Sequence, residues 1–283
     1  MGCGSAEQDL LWRAEFGVES IVAIDPVEAQ VRSQPPRGSL PWSADGSETA
    51  LRTSQVNIGR RRVEERSLQQ HIVVKKGGIS ADGSPLPFAA ASFNKVLSVD
   101  AAYHFRTRRH FVSEAARTLV TGGRLVVADL ILHRPYAELG WRERLGLALV
   151  SLAVRIPGEN LVDEAEYTEM LESLGAAAAL FLSARVCPSD CVLGVPRAGF
   201  GDVEIRPITE HVVPGFSRFV GRHRRGELGP PLTRPRDWYK LRAVSWLLSK
   251  GQRHGVVDFV VARARKDSAP VAHFRRANKA VEG

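Results

Sequence analysis

Short apolar runs alternate with amphipathic stretches through the first half of the chain. The runs predict β-strands at residues 21–24, 71–74, 92–100 and 124–132, and the amphipathic stretches predict helices at 6–16, 55–68 and 108–120. Thr121-Gly122-Gly123 is predicted to end the third helix as a C-cap turn. Strands that alternate with helices in this way predict an α/β fold, with a parallel sheet covered by helices on both faces.

The second half of the chain predicts further helices at 141–154, 163–174 and 238–248, and strands at 203–205 and 256–262. Residues 32–54 and 176–197 have no sustained period and are rich in proline, serine or alanine, so they are predicted as irregular inserts. We therefore expect a sheet-forming core over 1–132, followed over 133–266 by cap helices and C-terminal strands of the same domain. The polar residues 267–283 predict a flexible tail.

The composition is that of an ordinary globular protein, with 44% hydrophobic and 25% charged residues in 283. The longest apolar run, Leu145–Val154, is about half the roughly 20 residues that a membrane helix needs. Three cysteines are too few for a disulfide framework, and Cys187 and Cys191 have no paired histidines to complete a metal site. We expect a cytoplasmic protein with no stable membrane insertion and no bound metal.

The net charge of +8 permits contact with nucleic acid or with an anionic membrane surface. The basic residues are widely spread, however, with small clusters only at Arg60–Arg62 and Arg222–Arg225. No aromatic-interleaved groove, zinc-ligand set or recognition helix accompanies them. The charge is therefore interpreted as the solvated faces of helices, and no nucleic-acid partner is predicted.

Polar residues collect where the predicted strands end. Asp25, Asp82, Asp100 and Asp129 each lie at such a position, and the glycine-rich Gly2–Ala6 precedes the first helix. In open α/β sheets, ligands bind outside the carboxyl ends of the strands. Glycines let backbone amides approach a ligand, and the following helix offers its N-terminus to a carboxylate. These residues predict a ligand site at one edge of the sheet.

Three blocks resemble motifs of one enzyme family. Gly2-Cys3-Gly4-Ser5-Ala6-Glu7-Gln8 resembles methyltransferase motif I, the glycine loop under the methionine part of the cofactor. Ser80 to Phe88 resembles the Asp-Ala-x-x-Leu-Pro-Phe element, and Asp100 to Asp129 resembles the region from the end of the fourth strand through the next helix and a Gly-Gly turn. The chain is identified as similar to class I S-adenosylmethionine-dependent methyltransferases, in the small-molecule group of rebeccamycin-type sugar O-methyltransferases.

The resemblance implies a Rossmann-like, mostly parallel sheet and S-adenosylmethionine as cofactor. It implies that Asp25 accepts hydrogen bonds from the ribose hydroxyls and that the Asp82 region holds the adenine. The cofactor-binding residues that it implies are Gly2, Gly4, Gln8, Asp25, Asp82, Gly83 and Asp100. For Asp25 an alternative stays open, since Asp-Pro also ends strands as a simple turn. The implied substrate is a small molecule, a sugar-like, sterol-like or other secondary metabolite, and no oligomeric state is indicated.

Methyl transfer to an alcohol needs a general base, and histidine suits that role near neutral pH. His104 matches a histidine near the methyl group in the sugar methyltransferases, and Asp129 matches an acidic residue of the next strand. We predict His104 as the base and Asp129 as its orienting or substrate-binding partner. The alternative for His104 is a structural histidine under the cofactor. The alternative for Asp129 is a cap at the end of its strand. Trp141–Val154 is interpreted as a cap over the acceptor or as a core helix.

The chain departs from the family in three places. The resemblance places a strand before Gly2, at the centre of the sheet, so the edges of its two neighbouring strands are expected to be exposed. The other two departures are the inserts at 32–54 and 176–197. Together these features suggest retained intron sequence in the gene prediction. They also leave a second function open, a methyltransferase-fold protein with weak or no cofactor binding and no turnover.

Overall fold

The computed structural model describes residues 6–25, 55–79, 83–105, 108–183, 199–227 and 235–267. Its helices are α1 (Glu7–Phe16), α2 (Gln55–Glu65), α3 (Arg108–Thr118), α4 (Trp141–Val154), α5 (Glu164–Ser183), α6 (Thr209–Arg224) and α7 (Pro235–Arg253). Its strands are β1 (Ile21–Asp25), β2 (Ile72–Lys76), β3 (Phe93–Val99), β4 (Leu119–Leu132), β5 (Phe200–Pro207) and β6 (Val257–Lys266). Short 3₁₀ turns lie at Ala102–His104, Tyr136–Glu138 and Gly158–Asn160.

The strands form two sheets. β1 and β2 pair in parallel, and a second sheet has the order β3-β4-β6-β5. In that sheet β3 and β4 are parallel, whereas β6 runs antiparallel to both β4 and β5. The α/β class predicted from the sequence is confirmed. The expectation of a mostly parallel sheet is corrected to mixed, because the last two strands of the chain enter by antiparallel pairing.

Strand β4 divides the four-stranded sheet into two packed faces. On one face Leu125, Val127 and Ile131 join the core formed with α3 and α5. On the other face Leu130 and Leu132 join a core formed with α4, α6 and α7. Successive residues of a strand point to opposite faces, so this alternation puts helices on both sides of the sheet. Asp129 is at an odd-numbered position of β4, like Leu125, Val127 and Ile131, so its side chain faces α3 and α5.

The two-stranded sheet has a core of its own. Leu10 of α1 and Val56 of α2 are buried there with Ala23, Ile72 and Val74 from the strands. Among the described residues no strand ladder joins this unit to the four-stranded sheet. None of the described helices combines the length and apolarity that a membrane crossing requires.

Three local predictions differ from the structure. The C-cap turn at Thr121-Gly122-Gly123 is wrong, since β4 already begins at Leu119 and passes through these residues beside an irregular register with β3. Gly122 has a φ of 78°, a left-handed conformation that glycine adopts easily. Helix α5 continues to Ser183, so the start of the predicted insert at 176–197 is helical. The alanines that looked irregular are strong helix formers.

Helix α6 was not predicted, because Pro214 lies inside it. Proline removes one backbone donor and is normally taken as a helix break. The strongly amphipathic face that buries Val213 and Val220 compensates for that loss. The insert at 32–54 and the tail from residue 268 onward lie outside the described residues.

Candidate active site

The carboxyl end of β3 leads into a tight turn that carries the predicted catalytic histidine. Asp100 has a φ of 53° and its backbone N–H donates to the carbonyl of Ala128 at 2.9 Å. A left-handed conformation costs a non-glycine residue about 1–3 kcal/mol, and such strain clusters at functional sites. The 3₁₀ turn Ala102–His104 follows directly. Asp100 is exposed beside the turn.

Tyr103 ties the turn to Asp100. Its hydroxyl donates to Oδ1 of Asp100 at 2.6 Å, and its ring is buried. Burial, and then the nearby Asp100 carboxylate, raise the pKa of Tyr103 far above its ordinary value. The phenol therefore stays protonated and acts as a donor, not as a base. This bond fixes the orientation of the Asp100 carboxylate.

His104 ends the turn with its imidazole exposed to one side. Its ring centroid lies 4.1 Å from that of Tyr103, at a 45° tilt. Partial burial lowers the pKa of His104, while the Asp100 charge and hydrogen bonds to the backbone of Arg155 and Val154 act in the opposite direction. An imidazole with a lowered pKa is neutral near pH 7. A neutral imidazole keeps one ring nitrogen as an acceptor, the form that a general base requires.

Asp129 is the buried support of the turn. Its side chain is 0% exposed, and Oδ2 lies 3.2 Å from Nε of Arg108, which is equally buried. Oδ1 accepts the backbone N–H of Tyr103 at 2.9 Å, and Oδ2 accepts the hydroxyl of Tyr167 at 3.2 Å. Burial raises the pKa of Asp129, and the Arg108 charge opposes that rise.

That Asp129 orients the His104 imidazole or binds substrate stays a prediction. Among the described residues its polar contacts are with Arg108, Tyr167 and the backbone of Tyr103 and Leu130, and its side chain is fully buried. Removing one member of a buried ion pair typically costs about 3–5 kcal/mol, because the other charge stays buried without compensation. Asp129 is thus placed to position the turn.

Asn160 clamps the same turn from the other side. Its Nδ2 donates to the carbonyls of Tyr103 at 3.0 Å and Phe105 at 2.6 Å. Its Oδ1 lies 3.4 Å from the backbone nitrogen of Arg108, at the start of α3. The side chain is 1% exposed. The Asn160 amide therefore satisfies the carbonyls of Tyr103 and Phe105 and links the turn to the next helix.

The loop before β3 is held against α3. Glu114 accepts the backbone N–H of Leu86 at 2.6 Å, and Arg117 donates to the carbonyls of Leu86 and Phe88. Arg117 also pairs with Glu114, which lowers the pKa of the carboxyl despite its burial. Gly83, at the start of this loop, has a φ of 76°, so a side chain there would be strained.

The other predicted cofactor residues lie in or near the two-stranded unit. Asp25 is buried at the end of β1, and its backbone carbonyl accepts the N–H of Gly77 at 3.1 Å. Gln8 is exposed in the first turn of α1. Gly2, Gly4 and Asp82 lie outside the described residues. The structure thus places Asp100 and His104 in one turn over Asp129, and Asp25 and Gln8 at the ends of β1 and α1.

A cleft of about 460 Å³ opens along α4. Leu147, Leu152 and Ile156 supply apolar walls, and the polar groups on its lining include Arg144 and Ser151. Arg155 lines the cleft just after the C-terminus of α4, and its backbone is one of the groups that raise the pKa of His104 against the effect of burial. Within the described residues, no group of three or more potential ligands is placed to hold a metal ion.

Comparisons with known proteins agree with this architecture. The family model of a methyltransferase domain matches residues 42–127. Erythromycin 3''-O-methyltransferase from Saccharopolyspora erythraea is 27% identical over 224 residues, 77% of this chain and 63% of the relative. The chain is therefore similar to S-adenosylmethionine-dependent methyltransferases, through the methyltransferase-domain match over residues 42–127 and through this relative over most of its length. It spans less than two thirds of the length of that curated relative.

Two solved methyltransferases share the fold. Phosphoethanolamine N-methyltransferase 2 from Haemonchus contortus, in complex with S-adenosylhomocysteine, aligns with a TM-score of 0.63 at 12% identity, over 94% of this chain and 48% of that one. Geranyl diphosphate C-methyltransferase from Streptomyces coelicolor, also with S-adenosylhomocysteine, aligns at 0.57 and 13% identity, over 94% and 70% of the two chains. These likenesses support the Rossmann-like character of the fold.

The family assignment gives the residues of the site a common context. The matched stretch includes Asp82, Gly83, Asp100 and His104, whereas Asp129 and the N-terminal residues lie outside it. Donor and acceptor chemistry fits the family's cofactor. A buried carboxylate at a strand end suits two ribose hydroxyls, and a left-handed glycine allows close backbone approach.

Sequence reasoning missed the residues that hold this methyltransferase site together. Asn160 lies in an irregular Pro-Gly-Glu-Asn string that has no period to draw attention to it. Tyr167 and Arg108 sit on amphipathic helices, where a polar residue next to a core face reads as surface. The one sequence signal is Arg108 itself, a charged residue at the start of α3, shortly after the motif that carries His104.

Proposed function

We propose that this protein transfers a methyl group from S-adenosylmethionine to a hydroxyl group of a small, largely apolar or glycosylated metabolite. The observation that carries the proposal is the position of Arg155, which lines the α4 cleft and whose backbone also acts on His104, in a turn that presents Asp100 as well. The erythromycin-modifying relative supports a secondary-metabolite acceptor and an oxygen as the methylated atom.

The cofactor would be held by Gly2, Gly4 and Gln8 around the methionine part, by Asp25 at the ribose and by Asp82 with Gly83 at the adenine. Asp100 would contribute a carboxylate whose direction Tyr103 fixes. S-adenosylmethionine supplies an activated methyl group on a sulfonium, so the protein's part is chiefly orientation and exclusion of water.

His104 would accept the proton of the acceptor hydroxyl as the methyl group is transferred. The imidazole is neutral at working pH because its pKa is lowered. The acceptor would lie in the α4 cleft, whose volume of about 460 Å³ is within the usual range of small-molecule sites. Apolar walls would bind the body of the metabolite, leaving the hydroxyl near the imidazole.

Calorimetry with S-adenosylhomocysteine, followed by turnover on a panel of hydroxylated macrolides and other apolar alcohols, tests this function. We expect micromolar binding that Asp25→Ala abolishes, and turnover that His104→Ala lowers by about 10²-fold or more with little change in cofactor affinity. His110→Ala is the matched control, since His110 is a histidine of α3 whose recorded contact is the Ser84 carbonyl. Equal loss of affinity and turnover in His104→Ala would refute the general-base role.

A second function, a methyltransferase fold without turnover, is favoured by one observation. The sheet with Asp25 and the sheet with Asp100 share no ladder among the described residues. A cofactor site that depends on both sheets needs them held in register. Absence of S-adenosylhomocysteine binding to the folded chain would select this alternative.

A further inference from the structure

The outer face of α4 carries a continuous apolar stripe, formed by Trp141, Leu145, Leu149 and Leu152. Their exposed fractions are 71%, 55%, 50% and 79%. At about 100° per residue these four positions fall within about 80° of the helix circumference. The opposite face buries Leu147 and Val150 in the core with α6 and α7, so α4 is apolar on both sides.

Such a stripe is unusual on a folded surface. Single exposed apolar residues are ordinary, but a contiguous large patch marks an interaction site. The core does not need these side chains, because the inward face of the helix is already filled. The stripe also adjoins the cleft, whose lining includes Leu152 and Ala148.

Arginines border the stripe on both sides. The helical period places Arg142 along one edge and Arg144 along the other. The Arg142 guanidinium lies 5.2 Å from the Trp141 ring, and that of Arg144 lies 5.0 Å from the ring of Tyr136. Aromatic rings with long basic side chains beside an apolar face are typical of helices at a lipid–water boundary.

The positive charge around α4 favours an anionic partner. Residues 134–155 contain four arginines and two glutamates, and one of these, Glu143, already pairs with Arg134. A second copy docked on the stripe would bring arginine edges against arginine edges, which is repulsive. An anionic lipid surface attracts the same arginine edges. The net charge of +8 acts in the same direction.

We propose that α4 docks this protein on anionic membrane surfaces, with the stripe in the boundary between headgroups and acyl chains and the exposed Arg142 among the lipid phosphates. This interaction goes beyond methyl transfer and stands without it. Its geometry also leaves the cleft opening next to the lipid, where apolar metabolites concentrate.

Sedimentation of the full chain with phosphatidylcholine vesicles, with and without phosphatidylglycerol, tests the proposal. We expect binding to the anionic vesicles that weakens as salt is raised, and weak binding to the neutral ones. Leu145→Ser/Leu149→Ser should lower the affinity about tenfold or more, since both side chains leave water on docking. Arg142→Gln should reduce the preference for anionic lipid. None of these three residues lines the cleft.

The control is Leu11→Ser/Phe16→Ser on α1, which removes two exposed apolar side chains elsewhere and should leave vesicle binding unchanged. An unaltered far-ultraviolet circular dichroism spectrum shows that each variant is folded. Failure to bind anionic vesicles would overturn the proposal, as would equal loss in the control. A dimer in light scattering that Leu145→Ser/Leu149→Ser converts to monomer would overturn it in favour of a second copy.

Discussion

His104 and Asp129 have different surroundings, although both lie at the turn that follows β3. His104 lies at the exposed end of its turn and touches the backbone of α4, whereas Asp129 lies beneath the turn with no exposed surface. A carboxylate that bonds the Tyr103 N–H and pairs with Arg108 keeps the turn rigid from below. The proposed proton transfer to His104 therefore does not require a hydrogen bond between His104 and Asp129.

The lowered pKa of His104 predicts the pH dependence of turnover. A general base must be unprotonated, so kcat/KM rises with pH through the pKa of His104 and levels off above it. Because that pKa lies below the ordinary 6.5, the acid limb should fall below pH 6.5. Initial rates across pH, with cofactor saturating, measure the limb.

Asp100→Asn gives the sharper test, since the Asp100 charge raises the pKa of His104. Its removal should shift the acid limb to lower pH, whatever it does to the absolute rate. A limb that stays in place in Asp100→Asn, or one above pH 6.5 in the natural protein, would contradict the assignment of His104 as the titrating base.

At the scale of elements, the catalytic turn depends on the 3₁₀ turn Gly158–Asn160, which follows α4. Asn160→Asp is isosteric and keeps the acceptor that faces Arg108, but it replaces the donor to the Tyr103 and Phe105 carbonyls with an oxygen. We expect kcat to fall about tenfold or more while the affinity for S-adenosylhomocysteine changes little, because only the turn is displaced.

The acid limb of the pH profile should also move in Asn160→Asp, since His104 would lose its fixed contact with the end of α4. Asn94→Asp, at an exposed position of β3, is the matched control and should change neither quantity. A parallel drop in cofactor affinity and thermal stability, with an unshifted pH profile, would show that Asn160 has only a structural role.

Elements with a clear period were predictable, and elements held by tertiary contacts were not. The apolar runs of β1, β2 and β3 and the stripe of α3 were all located from the sequence to within a few residues. Helix α6 was not predicted because Pro214 indicates a helix break, whereas the burial of its amphipathic face, which stabilises the helix, depends on tertiary packing. The Asp100 and His104 positions followed from a motif, but the support given by Asn160 depends on residues more than fifty positions apart.

For the whole molecule, the separate core of the two-stranded unit predicts uneven stability. Its buried residues come from α1, α2, β1 and β2 alone, whereas the larger sheet has cores on both faces. Small units with few buried contacts open at lower free energy. In hydrogen exchange we expect residues 7–25 and 55–76 to be less protected than β4 and β6.

S-adenosylhomocysteine should raise the protection of the two-stranded unit most, because the proposed site takes Asp25 from that unit and Asp100 from the larger sheet. Binding to the assembled form alone stabilises it by mass action. The β4–β6 ladder, already well protected, serves as the internal reference. Equal protection of both units without ligand, or protection by ligand confined to the larger sheet, would contradict a site that spans the two.

The hydrogen bonds of Asn160 and Asp129 have a consequence for redesign. They tie the turn that carries His104 to β4, α3 and α5, whereas several residues that line the proposed acceptor cleft belong to α4. Substitutions at Ala148 or Leu152 would reshape the cleft without removing a hydrogen bond of Asn160 or Asp129. In the proposed site acceptor preference would therefore be separable from reactivity, and a library at the cleft-lining positions of α4 is the natural starting point for directed evolution of this scaffold.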